Sequence, residues 1–368
     1  MSGQLPNINK TNARHRILVA PLDWGLGHAT RCIPLIRHLQ QAGAEIVLAG
    51  EGPVADLLSA EFPGLTLLPL PGYRVRYAHN PRKFNLALFL QLPRILRAIR
   101  YEHRWLQRQQ RALPFDGIIS DNRYGIRLRG IPSVIITHQL SIETGSHWLN
   151  RLAAKVNIRF LSHFDACWVP DEPGEHNLAG HLSRFIQPAP IPVEYLGPLS
   201  RLSDKVSGSA CRLLVLISGP EPQRTIFEQE VIQWLISNPG EAVVILGKPG
   251  SVDALPLLSG VRFFHHLPAS SLNELIHGAD LILARCGYST VMDLALLQKK
   301  AVLIPTPGQK EQEYLAGHLA SKKLFSCISQ NELKQHRYQD LKMMTEKNLR
   351  WTGRRHAGPV LDQWLSGL

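Results

Sequence analysis

The amino-acid sequence predicts an α/β protein of two doubly wound, parallel-sheet domains facing across a cleft. Three observations carry that expectation. Short apolar, strand-like runs alternate with helical patterns along most of the chain, as in βαβ units. The 368 residues suit two domains of ordinary size. A Pro-rich and then polar stretch, 187–209, interrupts the alternation before it restarts.

In the first half, Arg16–Leu22 reads as a buried strand and His28–Gln41 as a helix closed by Gly43. Strands follow at Glu45–Gly50, Thr66–Pro71, Gly117–Asp121, Ser133–Gln139 and Ala166–Pro170. After the interruption come strand Arg212–Ser218, helix Gln223–Ser237, and strands Ala242–Leu246 and Val261–His265. Helix Ser270–Gly278, strand Leu281–Ala284, helix Ser289–Gln298 and strand Ala301–Pro305 precede helices at 311–323 and 330–349. The expected domains are therefore 14–199 and 211–349, with a helical tail at 350–368. Ligands of such sheets bind beyond the carboxyl ends of the strands, so the expected site is the cleft between the halves.

Composition narrows the function classes. A hydrophobic content of 44 % excludes wholesale disorder. The five cysteines (32, 167, 211, 286 and 327) form no C-x-x-C pair, which argues against a zinc ribbon or disulfide scaffold and fits a reducing compartment. No apolar run approaches the ~18–20 residues of a spanning helix, and residues 1–13 lack a signal-peptide core. The expectation is a soluble intracellular protein. Its formal net charge of +12 calls for an anionic partner: nucleic acid, a membrane surface or a phosphorylated substrate.

Four segments carry candidate chemistry. In Leu18–Arg31 a strand passes through a Gly turn into a helix. Gly25 and Gly27 allow close backbone approach, and the helix start favours an anion. The segment is not a dinucleotide fingerprint, because Thr30 stands where a third Gly would be. His28, at the carboxyl end of the strand, can act as a general base towards a hydroxyl. Asp121 ends its own strand and could orient that base; Asp23 is the nearer alternative in sequence. In Ser218–Arg224, a turn containing Gly219 places Arg224 where it could pair with a diphosphate. In Arg285–Asp293, Gly287, Ser289 and Thr290 could hold phosphate at a helix start, with Asp293 in reach of ribose hydroxyls. In Pro305–Tyr314, Gln312 and Glu313 offer the paired donors and acceptors that sugar hydroxyls need.

The order and spacing of these segments resemble the GT-B glycosyltransferases, and most of all glycosyltransferase family 28, the MurG-like N-acetylglucosaminyltransferases. Gly25-Leu-Gly-His28 is similar to that family's N-terminal Gly-rich loop. The strongest likeness runs from His266 to Ala320, including Ala279-Asp280, Arg285–Asp293 and Gln312–Tyr314. The resemblance implies two Rossmann-like domains and a UDP-sugar donor. By it, the backbone near His266 and Leu267 reads the uracil, while Arg285 and Gly287 belong to the donor loop. Arg224, Ser289 and Thr290 hold the diphosphate, Asp293 the ribose, and Gln312 and Glu313 the sugar. His28 falls where related enzymes carry the catalytic histidine, and Asp121 resembles the acid paired with it. It further implies an inverting transfer with no cofactor and no metal, in keeping with the lack of any D-x-D motif. Asp293 replaces a usual Glu, Glu313 replaces the second Gln of a pair, and Pro220 and Pro222 interrupt the Gly-rich turn. The sugar can therefore be a hexose or an N-acetylhexosamine. A sugar-nucleotide epimerase and a non-catalytic sugar-nucleotide-binding protein are the alternatives on the same architecture.

The charge is local. Tyr73–Arg111 holds ten basic residues and one acid, net +9, whereas Ser203–Leu319 is net −2. Arg94, Arg97, Arg100, Arg104, Arg108 and Arg111 recur at helical spacing on one face, behind the apolar run Phe84–Leu92. Pro93 reads as the start of a new helix. This pattern suits an anionic membrane surface or lipid phosphate. With no RNP-like strand or zinc finger, nucleic acid is not expected. The expected acceptor is lipid or lipid-linked, and the expected location cytoplasmic, peripheral on the inner face of the membrane.

Overall fold

The computed structural model describes residues 14–73, 91–144, 146–185, 188–204, 208, 210–354 and 357–368. Arg74, Arg76, Arg82, Lys83 and the run 84–90 of the expected basic and apolar segment lie outside the described residues. The described chain folds around two all-parallel sheets.

The first sheet uses β1 (Arg16–Pro21), β2 (Glu45–Gly50), β3 (Thr66–Pro69), β4 (Gly117–Asp121), β5 (Ser133–Ile136), β6 (Ala166–Val169) and β7 (Val193–Tyr195), in the order β3-β2-β1-β4-β5-β6-β7. Ile17, Leu18, Val19 and Ala20 of β1 are fully buried, as expected of a central parallel strand covered on both faces. Helices α1 (Leu26–Gln41), α2 (Gly52–Glu61), α3 (Leu92–Ala112) and α4 (His147–Leu161) belong to this half. The strand order reverses between β1 and β4, where Pro21 pairs with Asp121. That reversal opens a crevice at the carboxyl ends of the two strands.

The second sheet uses β8 (Cys211–Leu216), β9 (Ala242–Ile245), β10 (Val261–Phe264), β11 (Ala279–Arg285), β12 (Val302–Ile304) and β13 (Ser326–Cys327), in the order β10-β9-β8-β11-β12-β13. Its helices are α5 (Gln223–Ser237), α6 (Ala269–Gly278), α7 (Tyr288–Leu296), α8 (Lys310–Ser321) and α9 (Tyr338–Glu346). Here the reversal falls between β8 and β11.

Three elements depart from the sequence reading: the edge strands β7 and β13 and the helix expected at 330–349. The Pro-rich stretch contributes the edge strand β7, which pairs with β6. The expected helix at 330–349 is instead a 3₁₀ segment, Gln330–Gln335, followed by α9. Arg337 caps α9, its backbone N–H donating to Asp340, so a new helix starts there instead of the old one continuing. In the tail, α10 (Ala357–Ser366) returns to the first half. Trp364 meets Trp168 edge-on at 5.3 Å and lies against Gly117, where a Cβ would come within 2.6 Å of its ring. Asp362 pairs with His38 at 2.7 Å, and Trp351 Nε1 donates to the His176 carbonyl at 2.7 Å. The end of the chain thus straps the second half to the first.

Candidate active site

The loop after β1 is shaped by two glycines. Gly25 adopts φ +105°, a conformation L side chains rarely take. Gly27 has no room for a side chain, because a Cβ would lie 2.6 Å from Ser289 Oγ. Ser289 Oγ donates to the Gly27 carbonyl at 3.0 Å. The start of α1 therefore touches the start of α7 across the cleft. Each helix start presents N–H groups without intrahelical partners, and two of them converge here.

His28, on the first turn of α1, places Nδ1 2.7 Å from Asp121 Oδ1. β1 and β4 are adjacent, so the loop after one meets the last residue of the other although 93 positions separate them. Arg31 Nη2, a donor only, also lies 3.0 Å from Nδ1, but the nearer contact is to the carboxylate, which can only accept, so Nδ1 carries the proton and Nε2 keeps its lone pair. Burial pushes the His28 pKa down, against the opposing pull of Asp121, and so favours the neutral ring. Asp121 is fully buried. Burial alone would raise its pKa, but Arg31 and His28 hold it well below the usual carboxylate range. Arg31 is the stronger partner: Nε donates to Oδ2 at 2.5 Å and Nη2 to Oδ1, a two-pronged grip. Asp23, the other candidate, accepts from the Tyr73 backbone N–H at 3.0 Å.

Past Arg31 the network leaves the first half. Arg31 Nη1 lies 3.1 Å from His138 Nδ1, and His138 Nε2 lies 2.8 Å from Glu311 Oε1 at the start of α8. Gln139 donates to Glu311 Oε2. The His138 ring stacks on Tyr288 at 4.2 Å and 13°, and the Tyr288 hydroxyl donates to the Pro170 carbonyl at 2.8 Å.

The donor-side candidates are distributed as follows. Gly219 adopts φ +108° in the loop after β8. Arg224 is buried; Nε bonds Glu221 at 2.6 Å, and Nη1 bonds Glu228 at 2.6 Å and the Leu246 carbonyl at 3.2 Å. Arg285 is buried over the Phe227 ring, with Nη1 on the Pro305 carbonyl and Nη2 on the Gln223 carbonyl, both at 3.2 Å. Burial lowers its pKa to about 9. His266 and Leu267 follow β10; burial, then nearby Arg201, lowers the His266 pKa. Gly287 caps α7, and Thr290 is half-buried on its first turn. Asp293 accepts from Ser200 Oγ. Gln312 Oε1 accepts from the Thr306 N–H at 2.9 Å. Glu313 folds back on its own loop, accepting from the Gly308 N–H at 2.8 Å and pairing with Lys310 at 2.7 Å, whereas Glu311 faces the other half.

Sequence reasoning did not single out Arg31, His138, Gln139, Tyr288 or Glu311. Two signals were available. Arg31 lies three residues beyond His28, hence on the same helix face. His138 follows a strand at its carboxyl end, the criterion that selected Asp121.

Known proteins bear on this geometry. Residues 262–354 match the model of the glycosyltransferase family 28 C-terminal domain. The chain is 24 % identical over 336 residues to a Pasteurella multocida UDP-N-acetylglucosamine--N-acetylmuramyl-(pentapeptide) pyrophosphoryl-undecaprenol N-acetylglucosamine transferase, spanning 87 % of this chain and 86 % of that one. The chain is a GT-B glycosyltransferase that resembles family 28. It is also 23 % identical to an uncharacterized glycosyltransferase of Methanopyrus kandleri, over 81 % of this chain and 87 % of that protein. Among solved structures, Acinetobacter baumannii MurG superposes with TM-score 0.55 at 16 % identity, over 96 % of this chain and all of that one. The spinosyn rhamnosyltransferase SpnG does so at 0.62 and 18 %, over 95 % and 99 %. Both share the two-domain fold described above.

A second surface of this glycosyltransferase lies on the first half. Arg94, Arg97, Arg100, Arg104, Arg108 and Arg111 are all exposed on α3, while Glu102, Trp105 and Leu106 turn inward. Pro93 stands in the first turn of α3. The neighbouring α4 exposes Trp148 (67 %), Leu152 and Val156 at intervals of four, with Arg151, Lys155 and Arg159 exposed beside them. One turn joins the two helices: Tyr124 Oη donates to Asn157 at 2.8 Å, and the Gly125 N–H to Glu102 at 3.1 Å. No helix among the described residues is long and apolar enough to cross a membrane.

Proposed function

We propose that this glycosyltransferase moves a hexose or N-acetylhexosamine from a UDP-sugar to a hydroxyl of a lipid or lipid-linked acceptor, with inversion and without a metal ion. The observation that carries this reading is the His28–Asp121 pair at 2.7 Å, set at the strand-order reversal and facing the start of α7. His28 Nε2 takes the proton of the attacking acceptor hydroxyl, and Asp121, held in place by Arg31, balances the charge that forms on the ring. The hydroxyl oxygen bonds the anomeric carbon as the bond to UDP breaks.

The departing diphosphate meets the Ser289–Thr290 helix start, whose dipole and N–H groups favour an anion. Arg224 and Arg285 are each engaged within their own half, which supports a backbone share in holding the diphosphate. Asp293 takes the ribose, the backbone at His266–Leu267 the base, and Gln312 with the acids flanking it the sugar. Charged α3 and the apolar stripe of α4 form the membrane face, consistent with a peripheral, cytoplasmic enzyme acting on an anionic lipid carrier.

A panel of nucleotide sugars, with and without a lipid extract, tests this by nucleotide release. Acceptor-dependent release from a UDP-sugar is expected. Conversion without acceptor would instead identify an epimerase, and binding without turnover a non-catalytic protein.

A further inference from the structure

We propose that His138 is a positioning residue which ties the donor-side carboxylate of Glu311 to the Arg31–Asp121 pair beneath the base. The inference rests on the reading of His28 as that base. It goes beyond that reading by making closure of the cleft and orientation of the base one event.

Hydrogen-bond polarity sets the tautomer of His138. A guanidinium can only donate, so Arg31 Nη1, 3.1 Å from His138 Nδ1, requires that nitrogen to accept. The ring proton then sits on Nε2 and is donated to Glu311 Oε1 at 2.8 Å. One neutral tautomer satisfies both neighbours at once. The other would set N–H against N–H on one side and a lone pair against a carboxylate on the other.

The ring has no freedom to choose differently. It is buried, and it lies flat on Tyr288 at 4.2 Å, whose hydroxyl is anchored to the Pro170 carbonyl. Glu311 belongs to the second half, yet the N–H groups orienting its two oxygens come from consecutive residues of the first, His138 and Gln139. This arrangement exists only when the halves are together, as the Ser289–Gly27 contact also requires. A continuous series of side chains therefore runs from Glu311 through His138, Arg31 and Asp121 to His28 Nδ1. A donor sugar over the start of α7 engages the far end of the series while the acceptor hydroxyl engages the near end. His138 touches neither, and acts by holding both termini in register.

Substitution separates positioning from plain structural support. His138→Leu keeps the bulk and removes both hydrogen bonds. It is expected to lower kcat by roughly 10²-fold, the scale of an ångström-level misplacement, and to leave calorimetric affinity for UDP, which lacks the sugar, within about twofold. His138→Gln can again present one acceptor and one donor, and is expected to recover at least about tenfold of that loss. Because the two residues act as a unit, the loss in His138→Leu combined with Glu311→Gln is expected to fall well short of the product of the two single losses. Hydrogen–deuterium exchange adds a readout free of activity: exchange is expected to rise in both 26–32 and 310–316 in His138→Leu.

Wild-type kcat in His138→Leu, a loss confined to KM, or an additive double variant would overturn the proposal, and so would unchanged exchange in both segments. If His138→Leu does not fold, His138→Gln and Glu311→Gln carry the same comparison. If the wild type turns over no donor, the catalytic reading fails while the exchange experiment still decides whether the series couples the halves.

Discussion

The two rims of the cleft solve different problems with the same residue types. On the first-half rim, charged side chains converge on the His28 ring: Asp121 is gripped by Arg31 and in turn holds His28. On the second-half rim, the buried cations point into their own domain. Arg224 pairs with Glu221 and Glu228, and Arg285 braces the Pro305 and Gln223 carbonyls. In the proposed reading, what that rim offers the donor is a helix start and short polar side chains. The difference follows from the chemistry proposed for each side. A base must have its proton affinity set by fixed neighbours, whereas a released diphosphate needs a diffuse positive field that permits departure.

The largest expected effect tests the first rim. His28→Ala should reduce turnover by about 10²–10⁴-fold, the usual worth of a general base, with UDP affinity nearly unchanged in calorimetry. Loss of UDP binding in a folded His28→Ala protein would place His28 on the donor side and erase the contrast. The pH profile sharpens the point. The base works deprotonated and burial lowers its pKa, so kcat/KM should hold as pH falls through 6.5 and decline only below it. A midpoint above 6.5 would contradict a desolvated, neutral His28.

Asp121→Asn comes next. It keeps the volume but leaves the Arg31 charge buried and uncompensated, which should cost about 3–5 kcal/mol in denaturant unfolding. A loss of activity with no loss of stability would mean that water or another acid reaches Arg31. On the second rim, Asp293→Ala should weaken UDP binding by roughly tenfold, equivalent to about 1.4 kcal/mol, and spare kcat at saturating donor. Unchanged affinity would remove the ribose assignment.

The smallest effect concerns the outer surface. Each of Arg97→Glu and Arg104→Glu should weaken flotation with anionic vesicles by about 1 kcal/mol or more, and less in high salt. Trp148→Ala should weaken binding to anionic and neutral vesicles alike, because it removes buried apolar area. Equal flotation of the wild type with both vesicle types would sink the electrostatic contribution of α3.

Most strands were legible because each is a short apolar run whose spacing alone reports a doubly covered strand. Edge strands β7 and β13 were not. Each has two or three residues and one neighbour, so too little is buried to leave a pattern. The helix expected at 330–349 failed for a different reason: local propensity runs through 336–337, but the capping interactions of Arg337 and Asp340 restart the backbone there. The α3 stripe was visible as periodic arginine. The apolar stripe of α4 was overlooked because Trp148, Leu152 and Val156 look like core positions until burial shows them facing out.

The sequence by itself determined the alternation of strand and helix, the three Gly turns, and His28 and Asp121 as a candidate pair. These depend on residues close in the chain, or on the rule that strand ends gather at one edge of a parallel sheet. Only the tertiary structure decided which charges meet. Arg31 rather than solvent neutralises Asp121, Glu311 rather than Glu313 faces the opposite half, and Arg224 closes on its own helix. His138 and Glu311 are 173 positions apart, and no local pattern encodes that distance. Their meeting is set by strand register within each sheet and by the packing that closes one half on the other.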